Sequence, residues 1–343
     1  MPQPTATAPS SSRTRPGGSA RRRQHVLATV IGLVAVTLLA ASVARALEAR
    51  SLPVAEVVSI AGTGSTAREA PRIAILDTGI DVSHPHLNVV GGASCLGDGS
   101  IDDGDGHGTA VAGMAAATAG GQVPAGPAAG AALLAVRVAA RADAVRDADL
   151  ACGLQWVAAH AASIDVAVVS IGGDVDQLDR TCEEGAPRSG SIHAAVCAVA
   201  AAGVPMVVSA GNDGRDAGSY EPAAFADTIA VAAITDSDGR PGGIGPAVSC
   251  EPGEPAEPDD SLARYSNHGS VVDVAAPGTC VEVLLPGGGT EVVSGTSFAV
   301  GTVAGQIAAA GPAATGTSAD AVRDWIARQG TREPGIGYPV LRP

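Results

Sequence analysis

From Arg72 onward the chain alternates short runs of aliphatic and β-branched residues with longer stretches at helical spacing, and few folds accept that pattern. The strand-like runs are 73–76, 132–136, 166–170, 206–209, 229–233 and 271–275. Helical patterns fall at 109–117, 148–162, 191–202, 297–310 and 319–328. Each helical crossover returns the chain to the same end of the sheet, so such strands pair in parallel with helices on both faces. The expectation is an α/β fold with a mainly parallel sheet. Aromatics make up only 2% of a chain that is 46% hydrophobic, so the core must be built from Ala, Val, Leu and Ile. In open sheets of this kind the working side chains gather at the carboxyl ends of the strands.

One serine stands where a strand-like run meets a helix. In VVSGTSFAVGTVAG, residues 292–305, Val292 and Val293 favour a strand and Gly295 permits a tight turn. From Phe298 onward small and apolar residues recur at helical spacing, which puts Ser297 at a helix N-terminus. Unpaired backbone N–H groups there can stabilise an oxyanion. A serine at neutral pH is a poor nucleophile, however, and needs a base and a group that orients the base.

Candidates for both lie upstream. The run IAIL passes directly into Asp77-Thr78-Gly79, setting a carboxylate at a strand's carboxyl end. In DGDGHGTAVAG, residues 103–113, His107 opens a helix of small residues, and the flanking glycines let its ring stand close to other backbone. In MVVSAGNDG, residues 206–214, Asn212 follows a third strand, where its amide could donate to an oxyanion. Taken singly each has a plainer reading: a turn or capping aspartate, a surface histidine, a turn asparagine.

Charge and cysteines bear on where the chain works. It has no lysine, 21 arginines against 35 acids and a net charge of −14, which argues against nucleic acid as a partner. Arg13, Arg15, Arg21, Arg22 and Arg23 precede the first acid and lead into an apolar run of 19 residues, 26–44. That run reads either as a signal peptide cleaved near Ala44-Arg45-Ala46 or as an uncleaved membrane anchor; both keep the arginines in the cytoplasm and send the rest across. Six cysteines without a C-x-x-C pair fit export and disulfides better than zinc. Chain proximity favours pairing Cys95 with Cys152, Cys182 with Cys197 and Cys250 with Cys280, although sequence alone cannot choose the connectivity.

The order Asp, His, Ser in DTG, HGT and GTS contexts, with AGN between, resembles the subtilisin-like serine peptidases, the subtilases, over residues 72–328. SIGG at 170–173 and YSNHGSVVDVAAPG at 265–278 add to the likeness. The resemblance implies a three-layer subtilisin-like fold and a serine endopeptidase acting on protein or peptide substrates. It implies Asp77 as orienter, His107 as general base, Ser297 as nucleophile and Asn212 as oxyanion donor. Ser170, Ile171, Gly172, Ala210 and Gly211 would line the substrate cleft. No cofactor is implied for the chemistry. A structural calcium ion is common in the family, but Asp98, Asp102, Asp103 and Asp105 match no calcium-loop spacing, and a solvated acidic loop is expected there.

The chain departs from the family pattern after the serine, where Phe298, Gly301 and Thr302 replace its usual Met, Pro and His. Residues 47–71 are also too few for the inhibitory propeptide that many secreted members carry. The expected organisation is a basic tail (1–25), a signal peptide or anchor (26–46), a linker or N-terminal arm (47–71), the peptidase domain (72–330) and a C-terminal tail (331–343). The product would be a monomer outside the cell, secreted or anchored to the outer face of its membrane. Two rivals remain. An aspartic peptidase would need a second DTG aspartate, which is missing. A non-catalytic binding or scaffold domain on the same fold is the stronger alternative.

Overall fold

The computed structural model describes residues 56–59, 70–121, 123–174, 181–182, 191–250 and 253–343. The basic tail and the signal peptide or anchor expected at 26–46 lie outside the described residues, as does most of the insertion at 174–190. Among the described residues no helix is long and apolar enough to cross a membrane.

The strands are β1 (Glu56–Ser59), β2 (Arg72–Asp77), β3 (Asn88–Ser94), β4 (Ala132–Arg137), β5 (Val166–Val169), β6 (Gly173–Asp174), β7 (Met206–Ser209) and β8 (Tyr220–Glu221). They continue with β9 (Ile229–Thr235), β10 (Ser261–Leu262), β11 (Val274–Pro277), β12 (Val281–Leu284), β13 (Thr290–Val293), β14 (Thr331–Arg332) and β15 (Pro339–Val340). The main sheet runs β1-β3-β4-β2-β5-β7-β9-β11-β15-β14, with β10 beside β9. All pairs from β3 to β15 are parallel, and β1, β10 and β14 join antiparallel.

Successive side chains of a strand point to opposite faces. Both faces are apolar here, because helices cover both. In β2, Ile73 and Ile75 enter one core layer while Ala74 and Leu76 enter the other. The first layer is closed by α1 (His107–Ala116), α4 (Thr296–Ala310) and α6 (Ala319–Gln329); the second by α2 (Asp147–Ala159) and α3 (Ile192–Ala201). A short α5 (Pro312–Thr315) links α4 to α6. Gly301 and Gly305 explain how α1 and α4 approach so closely. A Cβ on Gly301 would stand 2.7 Å from the Val111 carbonyl oxygen, and one on Gly305 2.5 Å from that of Ala115. Glycine within a helix costs up to ~1 kcal/mol relative to alanine, but at 301 any side chain would drive the two helices apart.

Three features differ from the sequence reading. Asn88–Ser94 is a full sheet strand, disguised by Gly91 and Gly92 and by an irregularity in register between Val89 and Gly91. The strand expected at 271–275 begins at Val274, after a turn in which Val272 N–H donates to Gly269 O. Residues 331–343, read as a tail, instead complete the sheet through β14 and β15. Arg342 fastens them, donating to Asp236 (2.6 Å), Asp260 and Glu333 (3.2 Å). Within 47–71, Glu56–Ser59 adds an edge strand against β3.

Disulfides join Cys95 to Cys152, Cys182 to Cys197 and Cys250 to Cys280. They tie the end of β3 to α2, the middle of the 174–190 insertion to α3, and the 236–261 insertion to the segment ahead of β12.

Candidate active site

The carboxyl end of β2 delivers Asp77 into the interior, where it is fully buried. A buried carboxylate needs donors, and it has several. Thr78 N–H donates to Oδ1 (2.7 Å), the Ser170 hydroxyl donates to Oδ2, and the His107 ring meets both oxygens through Nδ1 (2.8 and 2.9 Å). Burial raises the Asp77 pKa, but the charge and hydrogen bond of His107, with Ser170 and Thr78, outweigh it and hold it below the ordinary carboxylate range. Burial also works against a charged His107. The Asp77 carboxylate, helped by Asp105 and Asp103, prevails and raises the histidine above its usual value. With Nδ1–H committed to the carboxylate, Nε2 is left as the acceptor.

His107 is the first residue of α1, and the contacts of that helix end fix the ring. A Cβ on Gly108 would lie 2.0 Å from Gly79 O, so only glycine lets the helix start this close to β2. Gly108 N–H donates to Thr78 Oγ1 (3.0 Å). The Thr78 hydroxyl in turn donates to Asp103 Oδ1 (2.9 Å). Asp103 is buried and also accepts from Gly106 N–H (2.8 Å), Thr109 N–H (2.8 Å) and the Thr109 hydroxyl (2.7 Å). Asp98, Asp102 and Asp105 are exposed, as expected of a solvated acidic loop, and the expectation is corrected at Asp103 alone. Asp103 anchors the start of α1, and Asp98 pairs with Arg137 (2.5 Å) and Ser94 (2.8 Å). The carboxylates of Asp98 and Asp103 are thus engaged within the protein. Elsewhere among the described residues, Asp236, Asp259 and Asp260 come close enough together to share an ion. Arg342 already supplies positive charge there, on Asp236 and Asp260.

Ser297 lies in the first turn of α4 and is buried, with its hydroxyl donating to the Ser170 carbonyl (2.9 Å). Ser170 thus touches two of the candidate residues: its carbonyl receives Ser297 and its hydroxyl serves Asp77. Asn212 follows β7 and is oriented by Thr296, whose N–H (2.9 Å) and hydroxyl (2.8 Å) both donate to Oδ1. The amide N–H₂ is then free to donate outward. Asn267 braces the same turn, accepting from Asp213 N–H (3.0 Å) and Arg215 N–H (3.2 Å) and donating to Ala210 O (2.9 Å). Phe298, one of the departures from the family pattern, packs its ring against His107 with centroids 5.8 Å apart.

Asp77, His107, Asn212, Ser170 and Ser297 come together at the carboxyl ends of β2, β5 and β7 and the adjoining N-termini of α1 and α4. Ile171, Gly172, Ala210 and Gly211 continue β5 and β7 beside them. Sequence reading missed the positioning parts played by the Ser170 hydroxyl, Thr296, Asn267 and Asp103. The repeated Thr and Asn beside the motif residues was the available signal. An imidazole held by a buried carboxylate, next to a helix-N-terminal serine and an outward-facing amide, has the parts for acyl transfer.

These layers and this constellation define a subtilisin-like α/β protein. The model of the subtilase family matches residues 68–336, and the chain belongs to that family. It is 34% identical over 252 residues to "Subtilisin-like protease 7" of Trichophyton tonsurans, covering 71% of this chain and 52% of that protein. It is 32% identical over 274 residues to the "Alkaline protease" of Alkalihalobacillus alcalophilus, covering 80% of this chain and 60% of that one. The chain thus spans 52% and 60% of the length of these two relatives. Among solved structures, a cold-adapted subtilisin-like serine proteinase superposes with a TM-score of 0.58 at 22% identity, over 81% of this chain and 90% of that one. A protease of Pseudoalteromonas arctica gives a TM-score of 0.60 at 22% identity, over 79% and 87%.

Proposed function

We propose that this chain is an exported serine endopeptidase that hydrolyses protein or peptide substrates through an acyl-enzyme on Ser297. The Asp77–His107 pair carries this reading: a fully buried carboxylate spanning Nδ1 at 2.8 and 2.9 Å leaves Nε2 to take a proton. The Ser297 hydroxyl, turned from Ser170 O by a side-chain rotation, attacks the peptide carbonyl while Nε2 accepts its proton. The oxyanion takes hydrogen bonds from Asn212 Nδ2 and the Ser297 N–H. His107 then protonates the departing amine as the C–N bond breaks, and a water activated by the same nitrogen releases the acyl group. Three disulfides and a basic, apolar N-terminal segment support export to an oxidising compartment, secreted or anchored outside the membrane. The direct test is turnover of a peptide library by the full chain; peptidase activity predicts cleavage products, and their absence with a folded protein would refute it.

Two further results are expected. Asn212→Ala should lower kcat by ~10²- to 10³-fold with KM little changed, a scale taken from removal of the corresponding donor in subtilisin. A rise in KM at constant kcat would place Asn212 in ground-state binding instead. The second concerns pH. Catalysis needs neutral His107, whose pKa is raised by Asp77. The acid limb of kcat/KM should therefore have its midpoint above the ordinary histidine value of about 6.5. A flat profile between about pH 5 and 8, the range across which histidine changes charge, would count against His107 as base.

A further inference from the structure

A cavity of about 180 Å³, lined by none of the candidate catalytic residues, lies where α1, α4 and β12 meet the 123–127 loop. Its walls are mainly apolar: Met114 of α1 and Ala117 just after it, Val123 and Pro127 of the loop, and Val283 and Leu284 of β12. Local geometry fixes these walls. Gly126 N–H donates to Ala117 O (2.9 Å) and Ala128 N–H to Ala115 O (2.9 Å), which holds the loop against α1. A Cβ on Gly113 would stand 2.9 Å from Leu284 Cγ, so glycine there lets the leucine lie against the helix.

Three polar side chains share the lining. Two of them satisfy each other, the Thr290 hydroxyl donating to Glu282 Oε1 (2.6 Å). The third, Thr302 of α4, is fully buried, and its hydroxyl has no hydrogen-bond partner. A threonine inside a helix commonly bonds back to a carbonyl of the preceding turn. Thr302 makes no such bond, and a buried hydroxyl left unpaired costs stability. Water is a poor remedy, because a buried water needs about two to four polar partners and this lining offers one that is unpaired.

We propose that this cavity binds a small uncharged phenol, its ring against the apolar walls and its hydroxyl paired with Thr302 Oγ1. An apolar body with one hydrogen-bonding group matches a lining with one unpaired hydroxyl. The size agrees, since an apolar cavity of about 150 Å³ accommodates benzene. Glu282 in the lining disfavours an anionic ligand such as a carboxylate. A bound ring would brace α1 against α4, the two helices whose first turns carry His107 and Ser297. Such binding does not depend on hydrolysis.

Isothermal titration calorimetry on the full chain tests this with two probes of similar shape, p-cresol and toluene, of which only the first has a hydroxyl. Wild type should bind p-cresol at a single site, about tenfold more tightly than toluene, the scale of one hydrogen bond to an otherwise unpaired group. Thr302→Val keeps the shape of the side chain and removes its hydroxyl, so the preference for p-cresol should disappear while toluene still binds. Val281→Trp, at a half-buried position of the lining, should fill the space and abolish binding of both probes. It decides the matter should Thr302→Val fold poorly. No binding by wild type, equal affinity for the two probes, a preference that survives Thr302→Val, or binding unchanged in Val281→Trp would each overturn the assignment.

Discussion

Replacing His107 by alanine should lower kcat by roughly 10⁶-fold, a scale carried over from removal of the same base in subtilisin. The size follows from what the imidazole does. The serine hydroxyl titrates far above neutral pH and sheds its proton only to a group held against it. Of the ring's two nitrogens, Nδ1 is engaged with Asp77, and among the described residues no other imidazole makes a contact with Asp77 or Ser297. His84 and His86 sit on the loop after β2, where His86 Nδ1 is bound to Thr118 O (2.8 Å). Steady-state turnover on a peptide substrate reads the effect, with the melting temperature as a control on folding. A loss of less than about 10²-fold would mean that His107 is not the base.

Asp77→Asn should cost on the order of 10⁴-fold in kcat while leaving the nucleophile and base in place. The carboxylate accepts on both oxygens, from Thr78 N–H and His107 on Oδ1 and from Ser170 and His107 on Oδ2. An amide has one acceptor and would turn its N–H₂ toward at least one of those donors. Facing His107, the amide would favour the tautomer with the proton on Nε2, which cannot accept from Ser297. The negative charge that raises the histidine pKa would also be gone. The acid limb of kcat/KM should then move to lower pH than in wild type, which a loss of fold alone would not produce. An unshifted limb would separate Asp77 from the titration of His107.

Much of this architecture could be read from the chain because its signals are local. The alternation from Arg72 onward marks the parallel sheet, since strand and helix periods are written in adjacent residues. The motif residues Asp77, His107, Asn212 and Ser297 each stand at a junction of elements that short-range pattern reveals. What escaped depends on distant partners. β3 carries Gly91 and Gly92 and is recognisable as a strand only beside β4 and β1. The last thirteen residues look like a tail because Pro and Gly interrupt them, yet Arg342 finds its carboxylates on Asp236 and Asp260, more than eighty residues away. Ser170 reads as cleft lining, whereas its hydroxyl reaches Asp77 across 93 positions. Asp103 shows the same limit: its carboxylate looks exposed within DGDG, and only folding against Thr78 and Thr109 buries it.

The central claim is that Ser297 is a nucleophile activated by His107, and covalent labelling tests it most directly. Incubating the full chain with a serine-directed fluorophosphonate, then mapping the adduct by mass spectrometry, should place the modification on Ser297. The label should be absent from Ser297→Ala and strongly slowed in His107→Ala. A folded wild-type protein left unmodified at Ser297, or labelled as fast without His107, would contradict the account and favour a binding domain on the same scaffold.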